Sequence, residues 1–147
     1  MKTYLRAIVF AGCLVIPSIA LAQQPASNSI PPHVRSSAAY AEVLVRSTEV
    51  RAELESIAPD YTEGSSRMID MRSELDILDK VVVRLSATRM ADSSKLTLAL
   101  GKLLVRKAAL DAELARLLRS YKSEHPDVRR AARKVEIFEA AIREVLP

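Results

Sequence analysis

The side chains able to do chemistry in this 147-residue chain are few and poorly spaced for it. Its two histidines, His33 and His125, stand far apart, and the one cysteine, Cys13, is near neither. No metal-ligand set of recognisable spacing results. Carboxylates such as Glu53 and Glu55, or Asp76 and Asp79, lie among Arg and Lys at helical spacing. That pattern makes exposed ion pairs more readily than an acid and a base. The serines have no His or Lys at a telling distance. With glycine only at positions 12, 64 and 101, no Gly-rich loop can cradle a phosphate. The residues therefore predict no enzyme, no cofactor and no metal.

Charge is the remaining chemistry. Arg116, Arg119 and Lys122 precede a turn, and Arg129, Arg130, Arg133 and Lys134 follow it. Cations at a helix C-terminus are favourable and need no further explanation, but Arg129 and Arg130 sit near a helix N-terminus, where positive charge is slightly unfavourable. Only Glu124 and Asp127 offset them. The cluster is a candidate site for the phosphate or uronate groups of an acidic glycan, against the alternative of an ordinary solvated face.

The elements that must position these residues begin after an address. Lys2 and Arg6 give a positive start, Ala7 to Ile16 are apolar, Pro17 breaks the run, and Ala20-Leu21-Ala22 offers small residues for cleavage. Residues 1–22 read as a secretory signal peptide cut before Gln23, and the apolar run is too short for a membrane span. Cys13 belongs to the apolar core of that signal. A lipoprotein reading would leave too few apolar residues after Arg6. Cleavage leaves a chain without cysteine or a transmembrane segment, in the periplasm, away from nucleic acid. It carries 20 basic and 18 acidic residues, with the basic excess in residues 92–147.

Residues 23–35, polar and Pro-containing, read as a disordered tether. Helix then starts at Ser36 or Ser37, and apolar or small residues follow at Tyr40, Val43, Ser47, Val50, Leu54, Ile57 and Tyr61, alternating in steps of three and four. Turn residues 59–66 interrupt, and a second seam runs Met68, Met71, Leu75, Leu78, Val82, Leu85. A third runs Leu96, Leu100, Leu103, Lys107, Leu110, Leu114, Leu117, Tyr121, and a fourth Val128, Ala131, Val135, Phe138, Ile142, Val145. These are heptad seams. They predict an all-α chain of two tandem antiparallel coiled-coil αα-hairpins, residues 36–90 and 91–147. Lys107, polar on its seam, either fixes register or packs its stem and sends its amine to water. Gly101 fits a close helix contact.

The two hairpins read as one unit written twice, offset by 60. Leu44-Val45-Arg46, Ala52-Glu53-Leu54 and Tyr61 recur as Leu104-Val105-Arg106, Ala112-Glu113-Leu114 and Tyr121. Asp92-Ser93-Ser94 could cap a new helix and fold the hairpins into a four-helix bundle about 35 Å long. No Pro or Gly forces a stop there, however, so one helix from about residue 66 to 120 is the preferred reading, a rod of roughly 80 Å.

At Tyr121-Lys-Ser-Glu-His-Pro-Asp-Val128, followed by the helix from Arg129 to Leu146, the chain resembles the coiled-coil hairpin of the polysaccharide co-polymerases. This is the Wzz-like family of chain-length determinants and exopolysaccharide export proteins, without its transmembrane helices. The resemblance implies that Tyr121, His125, Pro126 and Asp127 form a turn between two long helices. It further implies a free-standing periplasmic hairpin, accessory to envelope polysaccharide assembly or export. The expected partners are envelope proteins held by helical packing, a second copy of the chain, or an acidic glycan. The alternative is a periplasmic holdase-type chaperone, although the Leu-Thr-x-x-Gln motif of one such family appears here only as Leu96-Thr97-Leu98-Ala99-Leu100, without the glutamine.

Overall fold

In the computed structural model, which describes residues 30–147, every regular element among them is helical. A single turn, α1 (Pro32–Arg35), leads into α2 (Ala38–Ile57) and α3 (Ser66–Ser86). A 3-10 helix (Met90–Lys95) then connects to α4 (Leu98–Ser120) and α5 (Pro126–Val145). The all-α class is as expected. The segment read as a signal peptide, Cys13 included, and residues 23–29 of the tether lie outside the described residues.

Each long helix starts on a side chain that accepts an otherwise unpaired amide. Ser37 Oγ accepts from Tyr40 N at 3.2 Å, Ser65 Oγ from Met68 N at 3.4 Å and Thr97 Oγ1 from Leu100 N at 3.3 Å. At α5 the acceptor is His125 Nδ1, 3.2 Å from Asp127 N, with Pro126 in the first helical position. α2 stops at Ile57 because Pro59 has no N–H to donate to the Glu55 carbonyl. Arg119 stands at the matching place in the second unit, and α4 runs on to Ser120.

The offset of 60 reappears in the backbone bonds of the two turns. Tyr61 N donates to Ile57 O as Tyr121 N does to Leu117 O, Ser65 N to Thr62 O as His125 N to Lys122 O, and Ile69 N to Ser65 O as Arg129 N to His125 O. Unlike side chains thus close the same turn. Ion pairs give the direction of the helices: Arg46 to Glu74 at 2.7 Å and Glu53 to Arg67 at 2.7 Å step backwards along α3 as they step forwards along α2. Arg119, near the end of α4, pairs with Asp70, near the start of α3. Both turns therefore lie at one end of the molecule.

The preferred long central helix does not form. α3 ends at Ser86 and α4 begins at Leu98, so the hairpins fold against each other, with α4 packed on α2, α3 and α5. The stop has no Pro or Gly behind it; its cause is tertiary. Leu96 turns inward to 3 % exposure, and its carbonyl accepts from Ala39 N at 3.2 Å. The Thr88 carbonyl accepts from His33 Nε2 at 2.9 Å. Asp92, expected among the capping residues, lies instead in the 3-10 helix. Its bonds to Lys95 and Arg89 hold its carboxyl below the ordinary range and tie the connection together. The fold also buries Leu104 and Ala108, which lie off the third seam. Each fully buried large aliphatic side chain contributes about 1.5–3 kcal/mol, enough for a few to offset the helical residues given up at the break.

The tether expectation also needs correction at its end. Residues 32–35 form α1, and Val34 is fully buried in the same core as Ala39, Leu96 and Leu100. A Pro-rich stretch lacks periodicity, so one apolar side chain locking onto the core leaves little trace in sequence. Ser47, the polar residue of the first seam, is buried with its hydroxyl donating to Val43 O at 2.9 Å, so no polar atom is stranded there.

Candidate partner-binding surface

The basic residues expected to form one tip cluster divide into two groups. Arg119 turns to Asp70 of α3, away from α5. On α5, Pro126, Arg129, Arg130 and Arg133 follow one another at helical spacing along a single open face. Arg130 reaches Asp127 at 3.1 Å and Arg133 reaches Glu136 at 3.0 Å, each within its own helix. Exposed pairs of this kind hold their charges only loosely. Arg116, Lys122, Arg129 and Lys134 make no ion pair among the described residues.

The turn beside them is well defined. The Tyr121 and His125 rings stack with centroids 4.2 Å apart and planes inclined by 26°. Because His125 Nδ1 accepts the Asp127 amide, the neutral ring carries its proton on Nε2. Asp127 also lies 3.7 Å from His125 Nδ1, and the Ser123 hydroxyl, donating to Glu124, holds that carboxyl below the ordinary range. Tyr121, expected to close the third seam, instead remains 47 % exposed and packs on the histidine. In the first unit Tyr61 is 42 % exposed, with the Arg67 guanidinium 5.9 Å from its ring centre. The end that carries both turns thus presents two tyrosines, with cations gathered at the second turn and the exposed carboxylates of Asp60 and Glu63 at the first.

Midway along α4, Lys107 neither stands alone on its seam nor reaches freely to water. Its amine meets Asp111 at 2.8 Å and Glu139 at 3.5 Å, and Glu139 also takes Arg84 at 3.1 Å. One carboxylate joins α3, α4 and α5. Glu139→Gln is expected to cost about 1–2 kcal/mol, because it leaves two cations around a neutral amide. Urea denaturation at low and high salt checks this, with the difference from the unaltered protein shrinking as salt rises. A cleft of about 540 Å³ nearby is lined by Arg84, Thr88, Arg89, Asp92, Glu139 and Arg143, but its two carboxylates already hold their cations. Among the described residues no group of His, Cys, Asp and Glu is placed to hold a metal, and no helix is long and apolar enough to cross a membrane.

Sequence reasoning passed over the outer side of α2, where Leu44 is 47 % and Val45 is 56 % exposed. A signal was available, since both residues lie off the first seam on a helix that is apolar on both sides. Comparison of the chain with protein-family models, curated proteins and solved structures finds no match.

Proposed function

We propose that this chain is a non-enzymatic interaction protein of the periplasm, accessory to envelope polysaccharide assembly or export. The observation that carries the reading is the convergence of both turns at one end, beside an α5 face with more cation than its own carboxylates balance. The leader-like residues 1–22 and the His-Pro-Asp-Val turn support the compartment and the process. A repeating anionic polymer suits such a face, because it gains from several loosely held guanidinium groups at once and asks for no deep pocket. Tyr121, exposed beside them, offers a flat apolar surface for a sugar ring. The chaperone alternative asks for apolar surface to hold clients; folding the hairpins together turns the seams inward, and exposed residues such as Leu44, Val45 and Ile137 are what it leaves for that role.

The test is retention of the protein on polygalacturonate. Reversing Arg129, Arg130 and Arg133 to Glu is expected to weaken binding about tenfold or more and to flatten its salt dependence. Unchanged retention would remove the α5 face from the account. Suppression of aggregation of unrelated unfolded clients at low molar ratio would favour the chaperone.

A further inference from the structure

We propose that the outer face of α2 is a docking surface for a second copy of this chain, taking the exposed basic row at the start of α4 in that copy. The argument comes from the repeat. In the second unit, Gly101, Leu104 and Ala108 are buried, and Val105 and Ala112 are half-buried. Gly101 lies directly against Ala39 and Glu42 of α2. In the first unit the same positions are Ala41, Leu44, Thr48, Val45 and Ala52, and all five are exposed. The Thr48 hydroxyl donates to the Leu44 carbonyl at 2.8 Å, so it needs no outside partner, and the side chain can present its methyl. The surface that the second unit spends on α2 is thus present again on α2 itself, uncovered.

The same register names the occupant. Within the chain, position 101 packs on positions 39 and 42; one unit earlier, position 41 packs on positions 99 and 102 of another molecule. That surface exists. Ala99, Lys102 and Arg106 are exposed on α4, and neither cation has an ion pair among the described residues. On α2, Glu42, Glu55 and Arg51 likewise lack one, as does Glu113 on α4. The charges left over give α2 a small acidic excess and α4 a small basic one. Antiparallel self-pairing of α2 about a two-fold axis is disfavoured, because Glu42, Glu49 and Glu53 lie along one flank and would face their own copies. Ala41, where the second unit has Gly101, sets the new contact slightly wider than the internal one. An interface joining two different faces need not close, so association extends with concentration. The inference goes beyond the proposed function, for it uses neither turn nor the α5 face.

Sedimentation velocity on the exported protein tests it. The weight-average mass is expected to rise with concentration to roughly twice that of the monomer or beyond. Leu44→Glu with Val45→Glu, and separately Lys102→Glu with Arg106→Glu, should each hold the protein monomeric at every concentration. All four positions are at the surface, and unchanged circular dichroism melts verify that each variant folds. Mixed in equal amounts, the two variants retain one good face each and should form a dimer that grows no further. An unaltered protein that stays monomeric, a variant that still associates, or a mixture that stays monomeric would each overturn the proposal. None of these results bears on polysaccharide retention, so the two ideas fail separately.

Discussion

Gly101→Val is expected to destabilise the protein by about 2–4 kcal/mol, although valine ordinarily forms helix better than glycine. A β-carbon at position 101 would lie 2.8 Å from Glu42 Cβ, 2.9 Å from Ala39 Cα and 3.0 Å from Ala39 O. Two of these three neighbours are backbone atoms and cannot rotate away. Nor can Ala39 easily retreat, since it is fully buried and its N–H is engaged by the Leu96 carbonyl. Gly101→Ala sets a gain of about 1 kcal/mol in helix propensity against the same contacts, and should still come out net destabilising. Urea denaturation of both variants gives the ordering, valine below alanine below glycine. Stabilisation by alanine would mean that α2 and α4 do not approach this closely.

Leu104→Ala carries the second large effect. Leu104 is 1 % exposed only because α4 packs against the first hairpin; on a straight central rod it would point off its seam into water. Removing its buried methyl groups is expected to cost about 2–4 kcal/mol, while Leu44→Ala, the same change 60 residues earlier on an exposed position, should stay within about 0.5 kcal/mol in the monomer. The pair forms an internal control, because sequence context and helix propensity are nearly the same at both sites. Equal small losses would restore the extended arrangement.

The contrast between these two leucines shows what was legible in the sequence. Local features could be read: Ser37 caps α2, His125 and Pro126 open α5, the seam positions Val43, Met71, Leu78 and Ile142 are buried, and the small residue at 101 marks a close contact. Each depends on neighbours within a turn or two of helix, or on a residue type with one strong physical use. The stop between α3 and α4 could not be read, because it depends on Ala39 and His33, distant in sequence but folded to the same end of the bundle, taking up the carbonyls of Leu96 and Thr88. Thr97 looks no more like a cap than Ser93 or Ser94 until Leu96 is buried beside it.

The candidate surface followed the same rule. That the C-terminal half is basic was plain from composition, and Arg129, Arg130 and Arg133 do share a face. Arg119 left the group because its partner, Asp70, is 49 residues away in sequence and comes close only when the hairpins fold. Lys107 found Glu139 for the same reason. The side-by-side placement of the two turns is thus a property of tertiary folding, and the proposed function depends on it.

That placement is the claim to measure. The one cysteine of the chain, Cys13, lies in the segment read as the signal, so in the chain from Gln23 onward Glu63→Cys and Ser123→Cys would place one spin label on each turn. Dipolar spectroscopy on the doubly labelled protein should give a single short separation, on the order of 20 Å, as for neighbouring helices packed 8–10 Å apart with label arms added. A separation approaching roughly 80 Å, the length of an unbroken helix from residue 66 to 120, would contradict the folded arrangement and, with it, the proposed function that rests on the two turns sharing one end.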